Sequence, residues 1–402
     1  MNDAHEHGLS SAGLGTRLAH LARDPHAHHG FVNTPLHRGS TVLFRTLDAL
    51  EGAMRVDTRN GPYTYGLIGN PNSRELERVL AALDGGAGAV VVQSGLAAVS
   101  VPLLATLKAG DHLLMTDSCY GPTRHLAKSI LPAMGVETSF YDPRAGAGIE
   151  ALVRANTRVI YLESPGSLTF EVQDVPAIAR VARARGITTI IDNTWATPLC
   201  FKPIDHGVDL VVHALTKYQS GNSDILLGAI VARDDAHWRA LKHQAEAHGH
   251  YAHPDDCMTC LRGMRSLEVR LARHAASGLE VARFLESRAE VARVLHPALP
   301  SHPDHALWKR DFTGTTGLFG CVLKPHARGR DHLKRFLESL RYFGMGFSWG
   351  GFESLVVASD LRTSRVVPPW TEPGPLLRFQ IGLEDPRDLI ADLTQAFDAA
   401  NG

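Results

Sequence analysis

At 402 residues, with 44% hydrophobic and 21% charged side chains, the chain has the composition of a soluble globular protein. It exceeds what a single hydrophobic core usually holds, so two domains are expected. Its formal net charge of -1 gives no reason to expect a nucleic-acid or membrane-surface partner.

The first sixty-odd residues show one helical stretch near Gly15–Arg23 and a loop-like run from Pro25 to Thr41, and read as an arm. The Met1–Gly8 start lacks a basic segment followed by an apolar one, so no secretory signal is expected. After Pro71 a capped helical pattern covers Asn72–Leu83. Strands and helices then alternate. Strands are expected at Ala89–Val92, His112–Thr116, Val136–Tyr141, Arg158–Leu162, Thr188–Ile191, Leu210–Val212 and Ile225–Val231. Helices are expected at Leu96–Leu107, Thr123–Met134, Ile149–Ala155 and Val175–Arg185. This alternation predicts an α/β fold with a mostly parallel sheet covered on both faces, whose ligands lie beyond the carboxyl ends of the strands. From about Asp234 the pattern turns helical, with a long amphipathic helix from Met258 to Leu285. A strand at Leu318–Leu323, a helix at Asp331–Leu340, a glycine-rich turn from Gly344 to Gly351, a strand at Leu377–Ile381 and a helix at Asp385–Ala399 complete a smaller α+β region.

Two other readings fail on spacing. Gly85–Leu107 carries no charge, but Gln93-Ser94-Gly95 and Pro102 interrupt it, so strand, turn and buried helix are expected rather than a membrane span. Cys257-Met-Thr-Cys260 has no second ligand pair at zinc-site distance, and no metal is expected. Five cysteines, an odd and sparse set, fit a reducing cytoplasm. The 22 histidines lack ligand spacing and are taken as surface residues.

The candidate functional residues stand at successive strand ends. Ser94-Gly95-Leu96 opens a helix where backbone N–H groups and the helix dipole suit a phosphate, although small residues there also serve packing. Tyr120 follows a strand and could stack on a flat ring, or simply fill a turn. Asp192 ends a buried strand, where a carboxylate either caps the next element or pairs with a cation such as a protonated pyridine. Lys217 follows Leu210–Val212; it could snorkel to water or be held as a Schiff base with a carbonyl group. Thr216 offers a hydroxyl beside it, and Arg378 on its strand could make an exposed ion pair or bind a carboxylate bidentately. Individually each favours the plainer role. Together they place a phosphate cradle, a ring-stacker, a pyridine partner and an imine-forming lysine in an order one site could use.

The motifs that carry these residues resemble the Cys/Met-metabolism PLP-dependent enzymes. They are Tyr65-Gly-Leu-Ile-Gly-Asn-Pro71, Gln93-Ser-Gly-Leu-Ala-Ala98, Leu162-Glu-Ser-Pro-Gly-Ser167, Ile191-Asp-Asn-Thr-Trp-Ala-Thr-Pro198, Thr216-Lys-Tyr218, Leu261-Arg-Gly-Met-Arg-Ser-Leu267 and Ile381-Gly-Leu-Glu384. Glu163-Ser-Pro-Gly-Ser, Asp192-Asn-Thr-Trp and Ser348-Trp-Gly-Gly-Phe-Glu-Ser354 resemble the cystathionine β-lyases of that family most. The resemblance implies a fold of the aspartate aminotransferase type. It would comprise an arm over residues 1–65, a PLP-binding α/β domain with a seven-stranded sheet over 66–260 and an α+β domain over 261–402.

It also implies pyridoxal 5'-phosphate bound to Lys217, Asp192 on the pyridine nitrogen and Tyr120 stacked on the ring. Ser94, Gly95, Leu96 and Thr216 would hold the phosphate, with Thr194 near the ring; Arg378, Ser348 and Trp349 would face the substrate. Tyr65 would reach the phosphate of a neighbouring subunit, in a homotetramer built from two dimers with shared sites. The implied reaction is β-cleavage of L-cystathionine or a similar amino acid to a thiol, pyruvate and ammonia. The alternatives are a γ-acting relative and a non-catalytic PLP-binding regulatory homologue. Leu67 stands where many members carry arginine, and Ala214 where serine is frequent.

Overall fold

The computed structural model describes Leu9 and residues 11–402. Seven strands, β1 (Gly88–Val92), β2 (His112–Thr116), β3 (Glu137–Tyr141), β4 (Thr157–Glu163), β5 (Thr188–Asp192), β6 (Leu210–His213) and β7 (Gly228–Ala232), form one sheet. Its order is β1-β7-β6-β5-β4-β2-β3. β2 to β6 run parallel. The strand expected at Ile225–Val231 begins three residues later and runs antiparallel to both β1 and β6, so it is the one reversed member. The helix-free connection over 214–227 allows this, because an antiparallel pair needs no crossover helix.

Side chains of these strands alternate between two cores. Val91, Ile160, Leu162, Ile191 and Val211 enter one, and Val90, Val92, Val159, Tyr161, Ile190 and Val212 the other. Both faces are therefore dry along the inner strands, which is why those strands are mostly apolar, whereas the edge strand β3 carries Glu137, Thr138 and Ser139. The Pro71–Asp84 helix starts in a capping box made by Asn70 and Ser73 and stops at Gly85 with φ 79°.

A second sheet, β10-β11-β9-β8, is fully antiparallel. It contains β8 (Val291–Leu295), β9 (Leu318–Leu323), β10 (Leu355–Ser359) and β11 (Leu376–Gln380). β8 and β10 are absent from the sequence reading. β8 is broken by the exposed Ala292 and Arg293, and β10 is a short edge strand, so neither carries a clear period-2 signal. One face of this sheet packs Leu377 and Phe379 against the Leu267–Glu286 and Pro386–Asn401 helices. The opposite face carries Leu376, which joins the core of the large sheet.

The continuous helix expected from Met258 to Leu285 is two helices, Pro254–Arg265 and Leu267–Glu286, with Ser266 between them at φ -109°. Thr123–Met134 is likewise divided, into a short α-turn, a π-turn and a 3-10 turn, and 146–152 is a 3-10 segment. The placing of the histidines at the surface also needs correction. His112, His213, His274, His296 and His302 are buried, each tied to a neighbouring polar group or backbone atom. A neutral imidazole with one bonded nitrogen can be buried without the cost of an ion. Cys257 and Cys260 lie buried as free thiols in the Pro254–Arg265 helix. Among the described residues no helix is long and apolar enough to cross a membrane.

Candidate active site

The carboxyl ends of β1, β2, β4, β5 and β6 open onto one cavity of about 240 Å³, closed on the far side by β9, β11 and the turn before β10. Ser94, Gly95, Leu96, Tyr120, Asp192, Thr194, Thr216, Lys217, Trp349 and Arg378 all line it. Ten candidates from distant parts of the chain thus share one wall.

After β1, Ser94 caps the Gly95–Thr106 helix by accepting from Ala97 N at 3.1 Å. Its first N–H groups therefore face the cavity. A Cβ on Gly95 would lie 2.6 Å from that of Ala214, so only glycine lets the helix start this close to the loop before Lys217. Thr216 Oγ1 is already bonded to Leu227, donating to its carbonyl at 3.2 Å and accepting from its N–H at 3.0 Å. Thr194 Oγ accepts from Ala214 N at 2.9 Å, which ties the end of β5 to the lysine loop.

Lys217 points into the cavity, its Nζ donating to Ser348 Oγ at 2.6 Å and lying 5.4 Å from the ring centroid of Trp349. Burial, with the nearby positive charge of Arg378, draws its pKa down to about 8 from 10.5. It does not snorkel to solvent. Ser348 sits at φ 78°, a conformation that costs a non-glycine residue of order 1–3 kcal/mol and is kept only where the surroundings impose it. The next turn residue, Gly350 at φ 83°, passes so close that a Cβ would lie 2.7 Å from Tyr218 N.

Arg378 on β11 faces away from Leu377 and Phe379 and toward the large sheet. The structure shows no exposed ion pair here. Its Nη2 donates to the Ser348 carbonyl at 2.9 Å, and its buried Nε has no partner among the described residues. Burial lowers its pKa, the mark of a cation lacking a counter-charge. Asp192 accepts from Thr194 N at 2.9 Å, while His213 and Lys217 act on it only at longer range. Tyr120, 45% exposed, closes the cavity from the β2 side. Tyr65, 50% exposed, is outside the lining of this cavity, as is Leu67, which borders a separate small cleft with Gly66 and Lys242.

Glu163 is a residue that sequence reasoning left without a role. It ends β4 in register with Asp192 on β5 and accepts from Tyr120 N at 2.6 Å. The signal was present, since it is a carboxylate closing an apolar strand just as Asp192 is.

The family profile described as "Cys/Met metabolism PLP-dependent enzyme" matches residues 15–398. The chain belongs to that family. Its cofactor is pyridoxal phosphate. The residues fit this group: a glycine-lined helix start for a phosphate, an unpaired carboxylate and an amine, and a guanidinium with an unpartnered buried nitrogen for a carboxylate. The chain is 49% identical over 98% of its length to a putative cystathionine β-lyase of Rhizobium johnstonii, 98% of which is covered. It is 41% identical over 96% of its length to cystathionine β-lyase MetC of Escherichia coli, covering 98% of that protein. Among solved structures, cystathionine γ-lyase from Lactobacillus plantarum complexed with L-serine superposes with a TM-score of 0.88 at 28% identity, covering 97% of this chain and 100% of that one.

Proposed function

We propose that this chain is a PLP-dependent carbon–sulfur β-lyase that cleaves L-cystathionine with water to homocysteine, pyruvate and ammonia. The single observation that carries the reading is Lys217, an amine buried among Asp192, Tyr120, Trp349 and Arg378 instead of extending to water. Likeness to relatives named cystathionine β-lyase over nearly the whole chain supports the substrate.

The bound cofactor supplies an electron sink for the pair released at the substrate Cα. This chain's residues do the rest. Gly95, Leu96 and Ser94 would hold the phosphate at a helix start, with Thr216 beside it. Asp192 would hold the pyridine nitrogen protonated, and Tyr120 would cover the ring. Arg378 grips the α-carboxylate and Ser348 Oγ orients the lysine. Lys217 Nζ, with its basicity already reduced toward neutrality, takes the Cα proton and returns one to the departing sulfur. Trp349 narrows the substrate end of the cavity.

Incubation with L-cystathionine and assay of both keto acids tests the reading. Pyruvate is the expected product; 2-oxobutyrate would assign a γ-acting enzyme, and neither keto acid a regulatory homologue. A second expectation concerns the cofactor-free protein. Capture of a lysine by an aldehyde needs the neutral amine, so the rate of pyridoxal phosphate uptake rises with pH through a midpoint near 8. Stopped-flow absorbance across pH 6–10 checks this, and a midpoint near that of an ordinary lysine would contradict the buried site.

The arm supports assembly with a second copy. Phe31, Leu43 and Met54 are 72%, 89% and 76% exposed in the single chain, an apolar surface that monomers rarely leave uncovered. Tyr65 lies at the end of that arm, and we read it as the contribution of each subunit to its neighbour's phosphate, within a homotetramer. A reducing cytoplasm accords with cysteines that are all free thiols.

A further inference from the structure

Two carboxyl groups stand side by side under the cavity. Glu163 and Asp192 are register partners on adjacent parallel strands, where side chains of the same face lie about 5 Å apart. Both follow residues of one core, Tyr161 before Glu163 and Ile190 before Asp192, so both side chains leave the same face of the sheet. Like charges so close in a shielded site cannot both persist.

Their surroundings differ. Asp192 receives Thr194 N–H and has His213 and Lys217 within electrostatic reach. Glu163 receives one backbone N–H, that of Tyr120. Around it stand Cys119 and Tyr120 on the loop after β2, Tyr161 on its own strand, Asp192 on β5, Lys217 after β6 and Arg378 on β11. The two cations are committed elsewhere, Lys217 to Ser348 Oγ and Arg378 to the Ser348 carbonyl.

We infer that Glu163 holds a proton at neutral pH and is the uncharged member of a carboxyl pair with Asp192, which keeps the single negative charge for the pyridine nitrogen. The inference rests on the functional reading above for the cofactor's position, and it makes Glu163 a positioning residue. Its carbonyl oxygen holds the backbone of Tyr120, while its neutrality keeps a second charge away from the ring. Burial raises the pKa of both groups, more so at Glu163, as its poorer hydrogen bonding requires. A group raised in this way keeps its proton below its folded pKa and loses it only as the pH climbs through that value.

The test is an infrared difference spectrum of the holoenzyme, wild type minus Glu163→Gln, at pH 7. The expected result is a protonated carboxylic acid C=O band that vanishes in the variant; a carboxylate band in its place overturns the inference. Glutamate labelled with carbon-13 shifts the same band in the wild type and separates it from Asp192. Glu77→Gln, at the other glutamate whose pKa burial raises, is expected to leave the band in place, so the measurement survives a Glu163 variant that does not fold. Kinetics give a second readout. Glu163→Gln retains the acceptor for Tyr120 N–H and is expected to leave the visible-band titration midpoint unchanged, whereas Asp192→Asn lowers kcat/KM by more than about 100-fold. If Glu163 were ionised, its replacement by glutamine would lower that midpoint by about one unit, a factor of ten in the proton equilibrium. A wild-type protein with no visible cofactor band would sink the functional reading instead, and the infrared band would still decide Glu163.

Discussion

Replacing Lys217 by alanine is expected to remove turnover and, with it, the visible absorbance of the bound cofactor. The lysine is asked to do two things that no neighbour can take over. It must join the aldehyde covalently, and it must carry the Cα proton. A positioned general base alone contributes about 10²–10⁴-fold, so with covalent attachment also lost the rate should fall by at least about 10⁴. Lys217→Arg separates chemistry from charge. The guanidinium stays protonated at any working pH, so it keeps the positive charge near Asp192 but can neither attack a carbonyl nor accept a proton. Both variants should therefore be inactive. A small external amine should restore part of the rate only to the alanine variant, where the space left by the side chain is open. Pyruvate release by either variant in the absence of that amine would dismantle the assignment of the site.

Replacing Arg378 by alanine should cost about 10²–10⁴ in kcat/KM, mostly through KM. The guanidinium fork offers two charge-assisted hydrogen bonds to an α-carboxylate, at about 1.5–3 kcal/mol each. Arg378→Lys keeps a charge yet loses the fork and should recover little of this. The stability readout should move the other way. Among the described residues Arg378 has no counter-charge, its one hydrogen bond is to the Ser348 carbonyl, and its buried Nε has no partner. An unpaired buried cation destabilises a fold, so the alanine variant should have an unchanged or higher Tm. A large drop in Tm would instead mean that Arg378 is structural and that its kinetic effect is indirect. Because Arg378 also helps depress Lys217, its removal should raise the pH midpoint of cofactor uptake above that of the wild type.

Much of the large sheet is legible from the sequence because its signals are local. Runs such as Val90-Val-Val92 and Ile190-Ile191, each followed by a polar strand end and a helix, announce strands buried on both faces. Ser94, Tyr120, Asp192 and Lys217 are legible for the same reason, since each follows or closes a strand at a change of composition. What misleads is the expectation that a polar or short segment stays at the surface. His213 looks like a surface histidine until Asp84 arrives from the Pro71–Asp84 helix to meet its Nε2 at 2.9 Å. β10, Leu355-Val-Val-Ala-Ser359, has an apolar run that the sequence reading passes over, and it pairs along one edge with β11.

The sequence by itself determined the strands of the large sheet, where those apolar strands end, and which lysine, aspartate, tyrosine and arginine were worth following. Only the tertiary structure decided that β7 is reversed, that Ser348 and Arg378 come from the smaller sheet to meet Lys217, and that Glu163 shares its shielded face with Asp192. The reason is physical. Periodicity and turn chemistry act over a few neighbouring residues, whereas the charge state of a buried group is set by whatever distant side chains displace its water.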